Sequence, residues 1–249
     1  MLQASNITVE FRDVNFQVNH RQLLSQLNLT IYAGESLVLL GRSGSGKTTT
    51  LKLINRLLIP TSGQVLVSDR LTTSWDAIKL RRNIGYVIQE IGLFPHFNVR
   101  QNIGLVPSLQ KRSRHQIETR VYEMLGLVGL EPEVFSQRYP HQLSGGQRQR
   151  VGVARALASD PPILLMDEPF GALDPITRLE LQQQFRYLQR KLGKTVVFVT
   201  HDIQEAFFLG NRIGLMDKGE LVVLGTKEEF LRSSHPEAQA FIACLRQLE

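Results

Sequence analysis

The chain has 249 residues, 42% of them hydrophobic, enough for one large domain or two small ones with a substantial core. Its single cysteine, Cys244, excludes an internal disulfide framework and suits a reducing compartment. A net charge of +6 admits nucleic acid, an anionic membrane surface or an anionic small ligand, but the cations are scattered as on solvated helix faces, and none form an aromatic-interleaved stretch for base stacking.

The opening MLQASNITVEF lacks the basic flank and apolar run of a signal peptide. No apolar run approaches the ~20 residues of a membrane span, so a soluble chain is expected. Ile7, Val9 and Phe11 alternate, as do Leu27, Leu29 and Ile31, which predicts half-buried antiparallel strands. Leu37–Leu40 is continuously apolar and reads as a buried central strand running into a glycine loop. Leu51, Ile54 and Leu57/Leu58 then fall at helical spacing.

From Asp76 to Ala158 the pattern is helical, with Ile117, Val121, Met124/Leu125 and Val128 on one face and no long strand. Strand character returns at Ile163–Met166. A helix (Leu181, Phe185, Leu188, Leu192), a strand (Thr195–Thr200) and a short helix from Asp202 follow. Asp217-Lys218-Gly219-Glu220 turns a hairpin between Ile213–Met216 and Leu221–Leu224, and Pro236–Leu248 reads as an amphipathic helix. The fold class is α/β with a helical insertion and an antiparallel β layer near the N-terminus.

Two stretches carry the chemistry. Gly41-Arg42-Ser43-Gly44-Ser45-Gly46-Lys47-Thr48 matches the phosphate loop between strand and helix. Its glycines let N–H groups turn around a di- or triphosphate, Lys47 reaches the β/γ-phosphates, and the Thr48 hydroxyl is placed for Mg²⁺. Ile163–Met166 delivers Asp167 to the Mg²⁺ shell, and Glu168 follows as a general base for an attacking water. Gln89 is a candidate for contact with Mg²⁺ and that water, and His201 for the γ-phosphate; the bland readings are a solvated loop and a structural polar residue. Asp174 is a candidate site residue or simply a cap for the helix at Pro175. A second anion cradle is predicted at Leu143-Ser144-Gly145-Gly146-Gln147, where a serine and two glycines open a helix.

In order along the chain, GRSGSGKTT (Gly41–Thr49), Gln89, LSGGQ, LLMDEP, GALD and His201 resemble the motifs of ABC-type ATPases. LSGGQ is close to unique to that superfamily, and the resemblance covers roughly Ile7 to Gly225. It implies a P-loop NTPase (RecA-like) core at about 1–88 and 159–226, an inserted helical subdomain at about 89–158 and a helical tail at about 227–249. It also implies ATP with Mg²⁺ held by Thr48, Gln89 and Asp167, catalysis by Glu168, His201 and Gln89, and Asp174 in the D-loop. Ser144, Gly145, Gly146 and Gln147 would hold the ATP of a partner, either a second copy or a paralogous ATPase. The family's usual adenine-stacking aromatic falls here at Val18, flanked by Phe16 and His20.

The segment Tyr86–Phe97, with NIGLVP after it and INRL at Ile54–Leu57, is most similar to the ATPases of bacterial osmoprotectant (glycine betaine/carnitine/choline) importers. This implies integral membrane permease partners, indirectly a substrate-binding protein, no nucleic acid, and a peripheral place on the cytoplasmic face of the plasma membrane. Ile91, Leu93, Phe94 and Phe97 make the loop after Gln89 unusually apolar, as core packing or as a groove for a permease helix. Many such subunits continue into paired CBS domains; the chain stops at Glu249, so sensing through them is not expected. The alternatives are an importer for another small solute, such as an amino acid or ion, and a non-transport ABC ATPase.

Overall fold

The structure is a computed structural model that describes residues 6–90, 92–171 and 173–246. In chain order it forms β1 (Ile7–Val18), β2 (Arg21–Tyr32), β3 (Ser36–Leu40), α1 (Lys47–Ile54), β4 (Ser62–Val67) and β5 (Arg70–Leu71). There follow α2 (Ala77–Arg82), β6 (Ile84–Val87), α3 (Val99–Leu109), α4 (Arg114–Leu127), α5 (Pro132–Phe135), α6 (Gly145–Leu157), β7 (Ile163–Asp167) and α7 (Pro175–Leu192). The last elements are β8 (Thr195–Thr200), α8 (Ile203–Leu209), β9 (Arg212–Asp217), β10 (Glu220–Gly225), α9 (Lys227–Leu231) and α10 (Pro236–Arg246). The chain divides into two compact units, Met1–Arg81 with Gly193–Glu249, and Arg82–Leu192.

In the first unit, β2-β1-β4-β5 form an antiparallel sheet. Val9, Phe11, Leu27, Leu29 and Ile31 are all buried, as the period-two pattern requires of a sheet covered on one face. Here β3 runs parallel to both β8 and β9, with Leu39 opposite Val199 and Gly214. Leu37–Leu40 are each 0% exposed, so both faces of β3 are covered and the run is apolar throughout. The β9–β10 hairpin turns at Lys218 and Gly219, whose φ values of 46° and 89° suit a two-residue turn of the primed kind.

Two details of this unit differ from the sequence reading. The helix after the glycine loop ends at Ile54, a turn before Leu57 and Leu58. Arg56 adopts φ 53°, the N–H groups of Leu57 and Leu58 both reach back to the Lys52 carbonyl at 2.9 Å, and Leu57 is 48% exposed. A left-handed residue ends an α-helix by turning the N–H groups that follow it back onto the helix's last carbonyls in this way. Strands β4 and β5 were also not anticipated. Only Val65–Val67 of β4 are buried, so the run is too short and too polar at its start to show period two.

In the second unit, β6 is parallel to β7, with Ile84 opposite Ile163 and Val87 opposite Met166. Helices α3, α4 and α6 pack on one another through Ile103, Val121, Leu125 and Val151, each 0% exposed. The start of each is specified locally. Asn98, Ser113 and Ser144 each accept an N–H three residues on, and Gln101, Gln116 and Gln147 reach back, so all three helices open on a capping box. The segment expected to be helical, 89–158, lies inside this unit. Of the residues singled out in sequence, Ile91, Ala172 of the GALD run, and 247–248 at the end of the last helix lie outside the described residues. Among the described residues no helix is long and apolar enough to cross a membrane.

One buried side chain organises the loop before α3. Asn102, 0% exposed, takes the Phe94 N–H on its oxygen at 2.8 Å and donates to the carbonyls of Phe94, Phe97 and Asn98 at 3.0–3.2 Å. Asn102→Leu strands these main-chain groups, and an orphaned buried polar group costs about 1–3 kcal/mol. We expect denaturant unfolding followed through the second unit to show a loss of that order; a variant as stable as the parent would remove Asn102 from this role.

Candidate functional site

The phosphate loop lies in the first unit, between the end of β3 and α1. Gly46 caps α1 with φ 105°, and a Cβ there would stand 2.6 Å from Leu24 Cδ2. At Gly41 a Cβ would meet the Met216 carbonyl oxygen at 2.3 Å and Ser45 Oγ at 2.7 Å, so the loop closes only around glycine. No side chain caps the first turn of α1, which leaves its N–H groups and dipole for an anion. Lys47 is 4% exposed, and its Nζ donates to the carbonyls of Gly41 at 2.8 Å and Arg42 at 2.9 Å. Ser45 Oγ is buried without a hydrogen-bond partner. Arg42, Ser43 and Gly44 are exposed, and Thr48 and Thr49 are half-buried at the helix start. An ammonium, an uncapped helix end and an unused buried hydroxyl together suit a polyphosphate.

His201 is exposed in the same unit, at the turn from β8 into α8. That turn is held from below. The Thr200 hydroxyl donates to Glu205 at 2.6 Å and accepts the Asp202 N–H at 3.0 Å, while Asp202 caps α8 through Gln204 and Glu205. Nothing in the local spacing marked Thr200 or Glu205, because their roles arise only when the turn is formed. For adenine, the tip of the β1–β2 hairpin offers Val18, 45% exposed. Phe16 is 8% exposed and belongs to the core, and His20 sits in the turn at φ 64°, so neither flanking aromatic shares the position of Val18.

The second unit carries the carboxylates. β7 ends at Asp167, 4% exposed, and the Tyr86 hydroxyl donates to its Oδ2 at 3.4 Å. Burial, with the neighbouring Asp167 carboxylate, pushes the Tyr86 phenol well above its ordinary range, so it stays a donor. Glu168 takes φ 43°, a left-handed conformation that costs a non-glycine residue about 1–2 kcal/mol. Gln89 Nε2 donates to Glu168 Oε2 at 3.4 Å. The structure therefore brings Gln89 and Glu168 together. Tyr86 was not singled out as a site residue; its only signal was a hydroxyl-bearing side chain in the strand that delivers Gln89.

In the same unit, Ser144 caps α6: its hydroxyl accepts the Gln147 N–H at 3.2 Å, and Gln147 Oε1 takes the Ser144 N–H at 3.0 Å. Accepting that bond leaves the exposed hydroxyl able to donate. A Cβ on Gly146 would meet Thr177 Cγ2 at 2.5 Å, so the second glycine lets α6 and α7 approach, while Gly145 is half-buried. Asp174 caps α7, taking the Thr177 N–H at 3.1 Å, and that bond holds its carboxyl below the usual range. From the last turn of α6, Arg155 donates to the Gly92 carbonyl at 2.6 Å and so ties the helix that opens at LSGGQ to the loop after Gln89. On that loop Phe94, 40% exposed, clusters with His96 and Phe97. Among the described residues no group of three or more His, Cys, Asp or Glu side chains could hold a metal alone.

Residues 24–171 match the ABC transporter family. The chain is 53% identical over 213 residues to the glycine betaine/carnitine/choline transport ATP-binding protein OpuCA of Bacillus subtilis, across 86% of this chain and 56% of that protein. It is 49% identical to the choline transport ATP-binding protein OpuBA of the same organism, across 95% and 60%. With the glycine betaine uptake system ATP-binding protein YehX of Escherichia coli it shares 54%, across 87% and 70%. The chain thus spans less than two thirds of the length of OpuCA and OpuBA. A solved dimeric structure of the ATP-binding cassette MJ0796, in a post-hydrolysis state bound to ADP and Pi, superposes with a TM-score of 0.79 at 38% identity, across 88% of this chain and 98% of that one. With a match that covers more than half its length, and relatives at about half identity over nearly all of it, the chain belongs to the ABC transporter family.

Proposed function

We propose that the chain is the ATP-hydrolysing subunit of a bacterial importer for osmoprotectants of the quaternary ammonium class. The observation that carries the ATPase reading is the buried Lys47 ammonium, set on the Gly41 and Arg42 carbonyls at the mouth of an uncapped helix. Glycine betaine, carnitine and choline appear in the names of the relatives, which supports this cargo class.

In this reading the Gly41–Thr49 loop wraps the β- and γ-phosphates, and Lys47 neutralises their charge. Thr48, Gln89 and Asp167 would hold Mg²⁺, which when bound draws charge from the phosphate oxygens. Glu168 takes a proton from the attacking water, Gln89 orients both, and His201 hydrogen-bonds the γ-phosphate. Ser144, Gly145, Gly146 and Gln147 face the ATP of a second copy of the chain, since one phosphate loop and one signature complete a site only in pairs; Asp174 lies beside that signature. The Leu93–Phe97 segment meets a helix of an integral membrane permease, which places the subunit on the cytoplasmic face of the membrane and couples it indirectly to a substrate-binding protein.

Glu168→Gln keeps the shape and removes the base. ATP should still bind, hydrolysis should fall by about 10²–10⁴-fold, and light scattering should detect an ATP-dependent dimer. Hydrolysis near the parent rate would take Glu168 out of the reaction.

Lys47→Ala and Ser144→Arg damage opposite halves of a shared site. Mixed, they should form heterodimers with one intact site and more ATPase activity than either alone. Mixtures no more active than the single variants would count against sites shared between two chains.

Phe94→Asp changes a side chain with 40% of its surface exposed, so fold and ATP binding should persist. In liposomes holding the assembled importer, ATP-driven glycine betaine uptake should be lost. Uptake unchanged by the substitution would remove this loop from the membrane contact, and uptake of an unrelated solute by the parent would overturn the cargo.

A further inference from the structure

Arg42 connects two parts of the first unit that the proposed ATPase reading leaves separate. Its main-chain carbonyl accepts Lys47 Nζ at 2.9 Å and the Ser45 N–H at 3.2 Å, so its placement sets the inner surface of the phosphate loop. Its side chain leaves the loop and forms a fork with Glu237 of α10, Nε to Oε1 at 2.6 Å and Nη2 to Oε2 at 3.3 Å. Glu237 is the better-fixed member: its side chain is 16% exposed against 71% for Arg42, and its N–H is held by His235 Nδ1 at 3.2 Å. Behind it, Ala238 and Ile242 are buried at 0% and 2% and seat α10 against α8 and α9. The helix is therefore a fixed post, and the arginine reaches out to it. Ala240, Phe241 and Cys244 of α10 also line a cleft of about 400 Å³ with Arg42, Ser43 and His201. The tail helix thus borders both the phosphate loop and the histidine proposed to touch the γ-phosphate. It lies beyond the 24–171 segment that carries the family match.

We propose that Glu237 is a positioning residue for nucleotide binding: by holding Arg42 it presets the carbonyl on which Lys47 rests. The pair is half in solvent, so its contribution is small and reversible, and it biases the loop rather than locking it. The inference rests on the reading of Gly41–Thr49 as a nucleotide loop, and the test separates the two.

Affinity for a fluorescent ATP analogue with Mg²⁺ is measured on the parent chain, Glu237→Gln, Arg42→Gln, the double variant and Lys47→Ala. Glu237→Gln is expected to weaken binding by about 1.5- to 5-fold, the range of a partly exposed ion pair, with the melting temperature of the nucleotide-free chain little changed. The double variant should lose less than the two single losses combined, because each removes the same contact. Arg42→Gln reaches that contact without touching α10, so a misfolded tail cannot imitate the coupling. An affinity unchanged or tightened in Glu237→Gln, or losses that simply add, overturns the role of Glu237. If the parent does not bind the analogue, or Lys47→Ala binds it equally well, the nucleotide loop itself is misread and the inference falls with it.

Discussion

A buried ammonium is the constraint around which the first unit is arranged. Lys47 has only 4% of its surface exposed, and an ion taken out of water costs several kcal/mol unless polar groups replace its hydration. The Gly41 and Arg42 carbonyls do so, but they can point inward only because the loop turns too tightly for side chains at Gly41 and Gly46. The same demand explains the strand before the loop. β3 is covered on both faces and flanked by parallel neighbours, so it holds the loop at a fixed height above the core. With its carbonyl partners present and its helix end uncapped, the loop is preorganised for an anion, and preorganisation is what lets electrostatic stabilisation act without further rearrangement.

The second unit solves a different problem, that of carrying position from one motif to another. α6 begins at the Ser144 capping box and ends near Arg155, whose guanidinium is bonded to the Gly92 carbonyl. Burial lowers the pKa of Arg155 from its ordinary value, a sign of how far this cation is withdrawn from water. The Gln89 end of that loop meets Glu168, and its other end is organised by Asn102. Polar contacts from α6 and from the loop after Gln89 thus join the helix of the LSGGQ run, the proposed base and the apolar segment around Phe94. Glu168 itself sits in a strained left-handed conformation, a cost that persists only where surrounding contacts over-determine it.

Much of this was readable in order. Leu37–Leu40 is legible as a central strand, because a strand covered on both faces is apolar without interruption, and Thr195–Thr200 is legible as a strand. The glycine loop before α1, the carboxylates that follow Ile163–Met166 and the helix start at Ser144 are legible because each needs particular residue types at fixed local spacing. Local spacing is silent where the controlling contact is distant or the pattern short. The helix after Lys47 ends at Ile54, and Arg56 just beyond it bonds the Trp75 carbonyl through Nη1 at 2.6 Å, a partner invisible to helical periodicity. β4 escaped notice because half of it is exposed.

The sequence by itself determined the family, the strand–loop–helix order and the identity of the groups that bear charge, since these depend on residue type and on neighbours a few positions away. Tertiary structure decided which of those groups are buried and what holds them. Phe16 went into the core and left Val18 exposed at the hairpin tip, because burial is settled by the strands packed opposite. Tyr86 met Asp167, Arg155 met Gly92, and Glu237 met Arg42 across 195 positions of chain. No local rule specifies such pairs, because their energy depends on a separation in space that exists only once the chain has folded.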